Sequence, residues 1–207
     1  MNQTTSSIPS PAAKNHDEHI LVVKRLTLFQ DLAWHGLNTQ GTAELVSTIT
    51  HNQEFLPRSL MEQDPTYKQI IPYVIFNFQD RYFVMQRKAT ASEQRLKNKF
   101  SLGIGGHVRQ EDVMEKPILD WAHREFHEEI NYVGNLHLQP LGFLNDDTNA
   151  VGQVHLGFVI LAIGDSDQIY VKSELKSGYL LTKDEIEQAY GQLESWSQIV
   201  FDHLKNK

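Results

Sequence analysis

Residues 101–133 read SLGIGGHVRQEDVMEKPILDWAHREFHEEINYV, a glycine-rich loop that runs into a helix ending in a cluster of glutamates. At about 100° per residue, Ile118, Ala122, Phe126 and Ile130 form one slowly drifting apolar stripe, widened by Trp121. Asp120, His123, Arg124 and His127 take the water-facing side. Glu125, Glu128 and Glu129 fall near Trp121 and Ile118 on the wheel, which predicts three carboxylates along the inward edge of the last turns. As i, i+3 and i+4 neighbours they repel one another, and they sit at the end of the helix where the macrodipole disfavours anions. Partly desolvated like charges in that position call for compensating cations. A hard divalent ion, Mg²⁺ or Mn²⁺, held by carboxylate oxygens and water supplies that compensation. The glycines Gly103, Gly105 and Gly106 just upstream let backbone come close to a ligand or metal.

The remainder of the 207-residue chain narrows the class. Forty per cent hydrophobic and 22% charged residues are those of an ordinary globular protein able to bury a core. A net charge of −7 argues against a general binder of long nucleic acid or of membrane surfaces, which need basic patches. It leaves room for a small phosphorylated ligand whose charge a metal would offset. Cysteine is absent, so there is no disulfide, thiolate metal site or thiol nucleophile, in keeping with a reducing cytoplasm. No apolar run approaches the roughly 18 residues of a membrane-spanning helix, and the first residues lack the apolar centre of a secretory signal. Their Ser, Thr, Pro and Asn content predicts a disordered tail over 1–18.

In chain order, 20–29 reads as a strand, and Thr42 as the N-cap of a helix to about Thr50. The stretch 69–78 reads as a strand that Pro72 confines, in its first part, to an edge or bulge. Gln79 and Asp80 turn it into a hairpin with 82–87, and a third strand begins near Phe100. The helix of the opening stretch is expected to start near Pro117 and to close at a left-handed Asn131. Strands follow at 136–144, at the nearly all-apolar 153–163 and around Tyr170, with a turn carrying Asp146 and Asp147 between the first two. Thr182 and Glu185 form a capping box, and a last helix over 193–204 presents Trp196, Ile199, Val200 and Leu204 on one face. The order of elements predicts an α+β fold, a mixed sheet with helices on its faces.

The run Arg124-Glu125-Phe126-His127-Glu128-Glu129 resembles the Nudix box, Gly-x5-Glu-x7-Arg-Glu-U-x-Glu-Glu-x-Gly-U, where U is a bulky apolar residue. Asn131 stands at the second glycine of the pattern and Tyr132 at the final U. The first half departs from it. Counting from Gly106 brings Asp112 to the first acid with eleven residues before Arg124, whereas Glu115 leaves eight. Glu115 is preferred because it adjoins the helix start, with Asp112 and Glu111 as alternatives. The wider segment 71–159 is similar to a branch of Nudix phosphoesterases without a settled substrate.

The resemblance implies a Nudix-like α/β/α sandwich, with the box helix on one face of the mixed sheet and C-terminal helices beside it. Residues 19–65 would form an N-terminal extension packed on the core, and 66–207 the Nudix-like domain. It implies a metal-dependent hydrolase that cleaves a diphosphate linkage in a nucleoside diphosphate derivative. Glu125, Glu128, Glu129 and the Gly106 carbonyl would hold Mg²⁺ or Mn²⁺, and Gly105, Gly106 and His107 would bind substrate. Glu125 or Glu129 would act as base, with Asp146 and Asp147 as loop candidates, and Arg124 would orient an acid near Glu115. His155 could touch phosphate, and Tyr73, Phe78 or Tyr82 could stack on a base. The alternative is a catalytically weak Nudix-like sensor that binds a nucleotide. Isomerase chemistry of the isopentenyl diphosphate type is disfavoured by the missing thiol. The strand-bearing extension could support a homodimer.

Overall fold

A computed structural model describes residues 17–30, 33–87, 99–113, 118–172 and 175–206. Nearly all of the expected tail lies outside them, as do Glu115 and Pro117. In chain order the elements are β1 (His19–Lys24), α1 (Arg25–Phe29), β2 (Gly36–Asn38), α2 (Thr42–Asn52), β3 (Glu54–Pro57), α3 (Arg58–Met61), β4 (Tyr67–Phe78) and β5 (Arg81–Arg87). Then come β6 (Phe100–Ser101), β7 (Gly103–Gly105), α4 (Ile118–Glu129), β8 (Ile130–Tyr132), β9 (Leu136–Asn145), α5 (Ala150–Val154), β10 (His155–Gly164), β11 (Ile169–Val171), β12 (Leu175–Thr182), α6 (Lys183–Gln188) and α7 (Ser195–Leu204).

The main sheet runs β12-β5-β4-β10-β9-β2, with β4 and β10 parallel at its centre. Alternation along these two strands separates the layers. Val74, Phe76, Phe158 and Ile160 face Trp121, Ala122 and Phe126 of α4, with Phe76 stacked on Phe126 at 6.0 Å between ring centroids. Tyr73, Ile75 and Val159 face the other way, onto Ile186 of α6 and Val200, Phe201 and Leu204 of α7. The fold is thus an α+β, Nudix-like sandwich with a helix layer on each face of one mixed sheet.

Several local expectations need correction. Only His19–Lys24 of the apolar run 20–29 is strand; Arg25–Phe29 coils into α1 and turns Leu28 and Phe29 into the core. Gly41, at φ 63°, rather than Thr42, precedes α2 as its cap. Asn131 is not left-handed: α4 ends at Glu129 and passes directly into β8, which pairs with β11. β4 is a central strand despite Pro72. Its β1 partners end at Gln69 and its β7 partners begin at Tyr73, so Pro72 lies in a local gap on that flank. The Pro72 carbonyl faces Gly105, so its missing N–H faces the same gap and no bond to β10 is lost.

That gap matters for the site. β6 and β7 enter between β4 and β5 where the hairpin strands diverge, which carries the glycine segment onto the sheet edge beside Pro72. Gly103 is required there: a Cβ would lie 2.1 Å from the Tyr73 ring. The strand expectations at 82–87, 136–144 and 153–163 and the Thr182–Glu185 capping box all correspond to observed elements.

Candidate active site

α4 places its glutamates unequally. Glu125 is buried at 7% exposure, Glu129 is half-buried, and the Glu128 side chain is 49% exposed. The predicted inward edge therefore holds for Glu125, in part for Glu129, and not for Glu128. A Cβ on Gly106 would lie 1.9 Å from Glu125 Oε1, so a side chain here would push that carboxylate out of its present position against the loop backbone.

Burial pushes the Glu125 carboxyl up to about 7; Arg124 opposes that rise, and the charges of Glu128 and Glu129 add to it. Arg124 bridges the two ends of the cluster, 3.0 Å from Glu125 Oε2 and 2.5 Å from Glu128 Oε1. It also donates a long bond, 3.5 Å, to the His107 carbonyl. Glu128 meets a second cation, Arg109, at 3.4 Å. Arg124 is thus engaged with the box glutamates themselves. Of the candidates for the first acid, Glu115 lies outside the described residues, and Glu111 is an exposed partner of Arg109 at 3.7 Å.

Arg109, Arg124 and the three glutamates line a cleft of about 870 Å³. Gly105, Gly106, His107 and His155 line it too, as do Glu18, Arg58, Glu62, Asn149, Glu194 and Trp196. His107 and His155 are both held neutral, mainly by burial, with His107 lowered to about 3. His107 Nε2 donates to Gln69 Oε1 at 2.7 Å, while His155 Nδ1 donates to the Val151 carbonyl at 2.7 Å. His155 is buried, as its apolar strand implies, yet it also faces the cleft.

The aromatic candidates divide. Tyr73 reaches the cleft but is tied inward, donating to Glu194 Oε1 at 2.6 Å, and Phe78 and Tyr82 do not line the cleft. Asp146 and Asp147 are not in its lining either. Asp146 accepts from Thr148 within its own loop, and Asp147 binds Lys68 and Arg25. Sequence reading missed Arg58, Glu62, Glu194 and Trp196. The only signal among them was Glu194, an acid ahead of an amphipathic run, whose side chain caps α7 through Trp196 N and Ser197 N.

No family model matches the chain. It is 35% identical over 202 residues to Protein YmaB of Bacillus subtilis (strain 168), covering 91% of this chain and 98% of the relative. The structure of Tm1382, assigned to the Nudix hydrolases, superposes with a TM-score of 0.78 at 32% identity, over 91% of this chain and 99% of that one. The chain belongs to the Nudix hydrolase family. This Nudix-type enzyme shares its fold, at 12% identity and a TM-score of 0.53, with the Nudix domain of Shewanella oneidensis NrtR, solved with ADP ribose. That match covers 67% of this chain and 87% of the NrtR domain. In this Nudix hydrolase no helix among the described residues is long and apolar enough to cross a membrane.

Proposed function

We propose that this Nudix hydrolase cleaves the diphosphate linkage of a nucleoside diphosphate derivative and depends on Mg²⁺ or Mn²⁺ to do so. The observation that carries this reading is the contact between Gly106 and the buried Glu125, which joins the loop half of the box to its helix half. The donor set suits a hard ion: carboxylates of Glu125, Glu128 and Glu129, with the Gly106 carbonyl alongside. When bound, such an ion would polarise the diphosphate and make a water a stronger nucleophile.

The chain's own residues supply the rest. Gly105, Gly106 and His107 present backbone and a neutral imidazole to the substrate in the cleft. Arg124 and Arg109 stand beside the glutamates, where they meet phosphate oxygens as charge develops. Glu125 or Glu129 accepts the proton of the attacking water.

A panel of nucleoside diphosphate derivatives assayed with Mg²⁺ and with Mn²⁺ tests the proposal. Turnover of at least one compound is expected, abolished by EDTA and by Glu128→Gln or Glu129→Gln. Turnover that survives in both variants would sink the metal-site assignment. Tight nucleotide binding with no turnover across the metals would favour the sensor reading.

A further inference from the structure

Glu62, His107 and His155 bring one ligand atom each within 4.8 Å of one another, the one such group found among the described residues. We propose that these three side chains bind a transition-metal ion of the zinc class, at a site separate from the glutamate cluster of α4. Two imidazoles and a carboxylate form a ligand set suited to a borderline ion, whereas the all-oxygen set of Glu125, Glu128 and Glu129 suits a hard one.

The distances fit. His107 Nε2 and His155 Nε2 are 3.4 Å apart. Two nitrogens each about 2.0–2.1 Å from a zinc ion at the tetrahedral angle are separated by about 3.3–3.4 Å. Glu62 Oε1 lies 4.0 Å from His107 Nε2 on a 37% exposed side chain, so a small rotation completes the third side of the triangle. Arg58 Nε holds the same oxygen at 3.3 Å, and its side chain, 43% exposed, keeps a second carboxylate partner in Glu18 at 3.1 Å when Glu62 turns toward an ion.

Outer contacts point the same way. His155 donates Nδ1–H to the Val151 carbonyl, the arrangement that fixes a ligating histidine in the tautomer with Nε2 available. In the ion-free protein, His107 Nε2–H points at Gln69 Oε1, and Gln69 in turn donates its amide to the Met61 carbonyl at 3.1 Å. Both rings are therefore placed before an ion arrives, and binding moves the His107 hydrogen from Nε2 to Nδ1 with release of the bond to Gln69. All three ligands line the cleft, so a fourth coordination position faces its interior. The site also ties the segment before β4, which supplies Glu62, to the loop beside Gly106.

Cobalt is the probe, as a visible stand-in for zinc, titrated into tag-free protein under excess Mg²⁺. One equivalent should bind with the intense visible bands of a four-coordinate ion, and Zn²⁺ should bleach them. His107→Gln and His155→Gln should lose the bands. Glu62→Gln, at a half-exposed position that folding tolerates, should weaken binding at least about tenfold. Glu128→Gln and Glu129→Gln should retain the bands, which separates this site from the hydrolytic one. Absent bands in the wild-type protein, or undiminished bands in Glu62→Gln, would overturn the proposal. So would loss of the bands in Glu128→Gln alone, because it assigns the ion to α4. If a histidine variant does not fold by circular dichroism, Glu62→Gln decides the matter.

Discussion

Two charged clusters stand side by side in this protein and are built on opposite plans. On α4, Glu125, Glu128 and Glu129 crowd like charges at a helix end, with Arg124 and Arg109 reaching over from the side. Behind the cleft, Lys68 is completely buried, and its ammonium donates to Asp147 Oδ1 at 2.7 Å, the Gly152 carbonyl at 2.6 Å and the His155 carbonyl at 3.1 Å. Asp147 in turn holds Arg25 at its other oxygen. In the second cluster one carboxylate serves two cations, and the group belongs to the scaffold, pinning α1 and the loop around α5 to the central strand β4. In the first, three carboxylates face two cations, and the proposed function completes it with a metal ion. Charge count alone does not distinguish a site from a staple; the sign of the charge left uncompensated does.

Removing one member from each cluster should have opposite consequences. Glu125→Gln is expected to lower turnover of any substrate found by about 10²–10⁴-fold while leaving the ion-free fold as stable or more so at pH 8, read by steady-state kinetics and urea unfolding. Asp147→Asn should do the reverse. It leaves the Lys68 ammonium buried without its carboxylate, for a loss of about 3–5 kcal/mol in unfolding free energy. A variant that unfolds no more easily than wild type would show that Lys68 is satisfied by the two carbonyls alone.

The two clusters should also give stability slopes of opposite sign with pH. The folded-state pKa of Glu125, about 7, lies above its ordinary value of 4.5, so the folded protein holds that proton longer than the unfolded chain. Its contribution is complete below about pH 4.5 and is lost as pH rises through 7, about 3 kcal/mol in all. Saturating Mg²⁺ or Mn²⁺ should flatten that decline, because the ion replaces the proton. Asp147 is depressed below 3.8: its burial works against ionisation, but the bonds from Arg25 and Lys68 outweigh that. Its contribution is present above 3.8 and is lost as pH falls through the lower, folded-state value. Thermal melts from pH 3 to 9, with and without the ion, check both slopes. The smallest effect belongs to a third arrangement, the solvent-exposed pair of Glu18 and Arg58 at 3.1 Å. Glu18→Gln should shift unfolding by less than about 1 kcal/mol, and high salt should erase the difference.

The layers and the box helix were legible because they rest on periodicity. The stripe of Ala122, Phe126 and Ile130 assigns the inner face of α4 without any knowledge of partners, and the nearly all-apolar run 153–163 marks a strand covered on both sides. Errors arose where a tertiary contact outranked a local rule. The run 20–29 is apolar enough for a strand throughout, but Arg25 leaves the sheet to reach Asp147, 122 positions away. Asn131 could have closed α4 in the left-handed form; pairing of β8 with β11 keeps it extended instead. Pro72 would have barred a central strand had its missing N–H not faced the gap between β1 and β7.

By itself, then, the sequence determined the fold class and the box helix, since the helix and its run of glutamates follow from residues at fixed short spacings on one element. The tertiary structure decided which glutamate is buried, because that depends on Gly106 arriving from another segment. It also brought Arg58 and Glu62 to the cleft, converted Asp147 from a turn former into the counter-ion of a buried lysine, and set His107 against His155, 48 positions apart. Distances between segments remote in the chain are set by packing, and no local pattern encodes them.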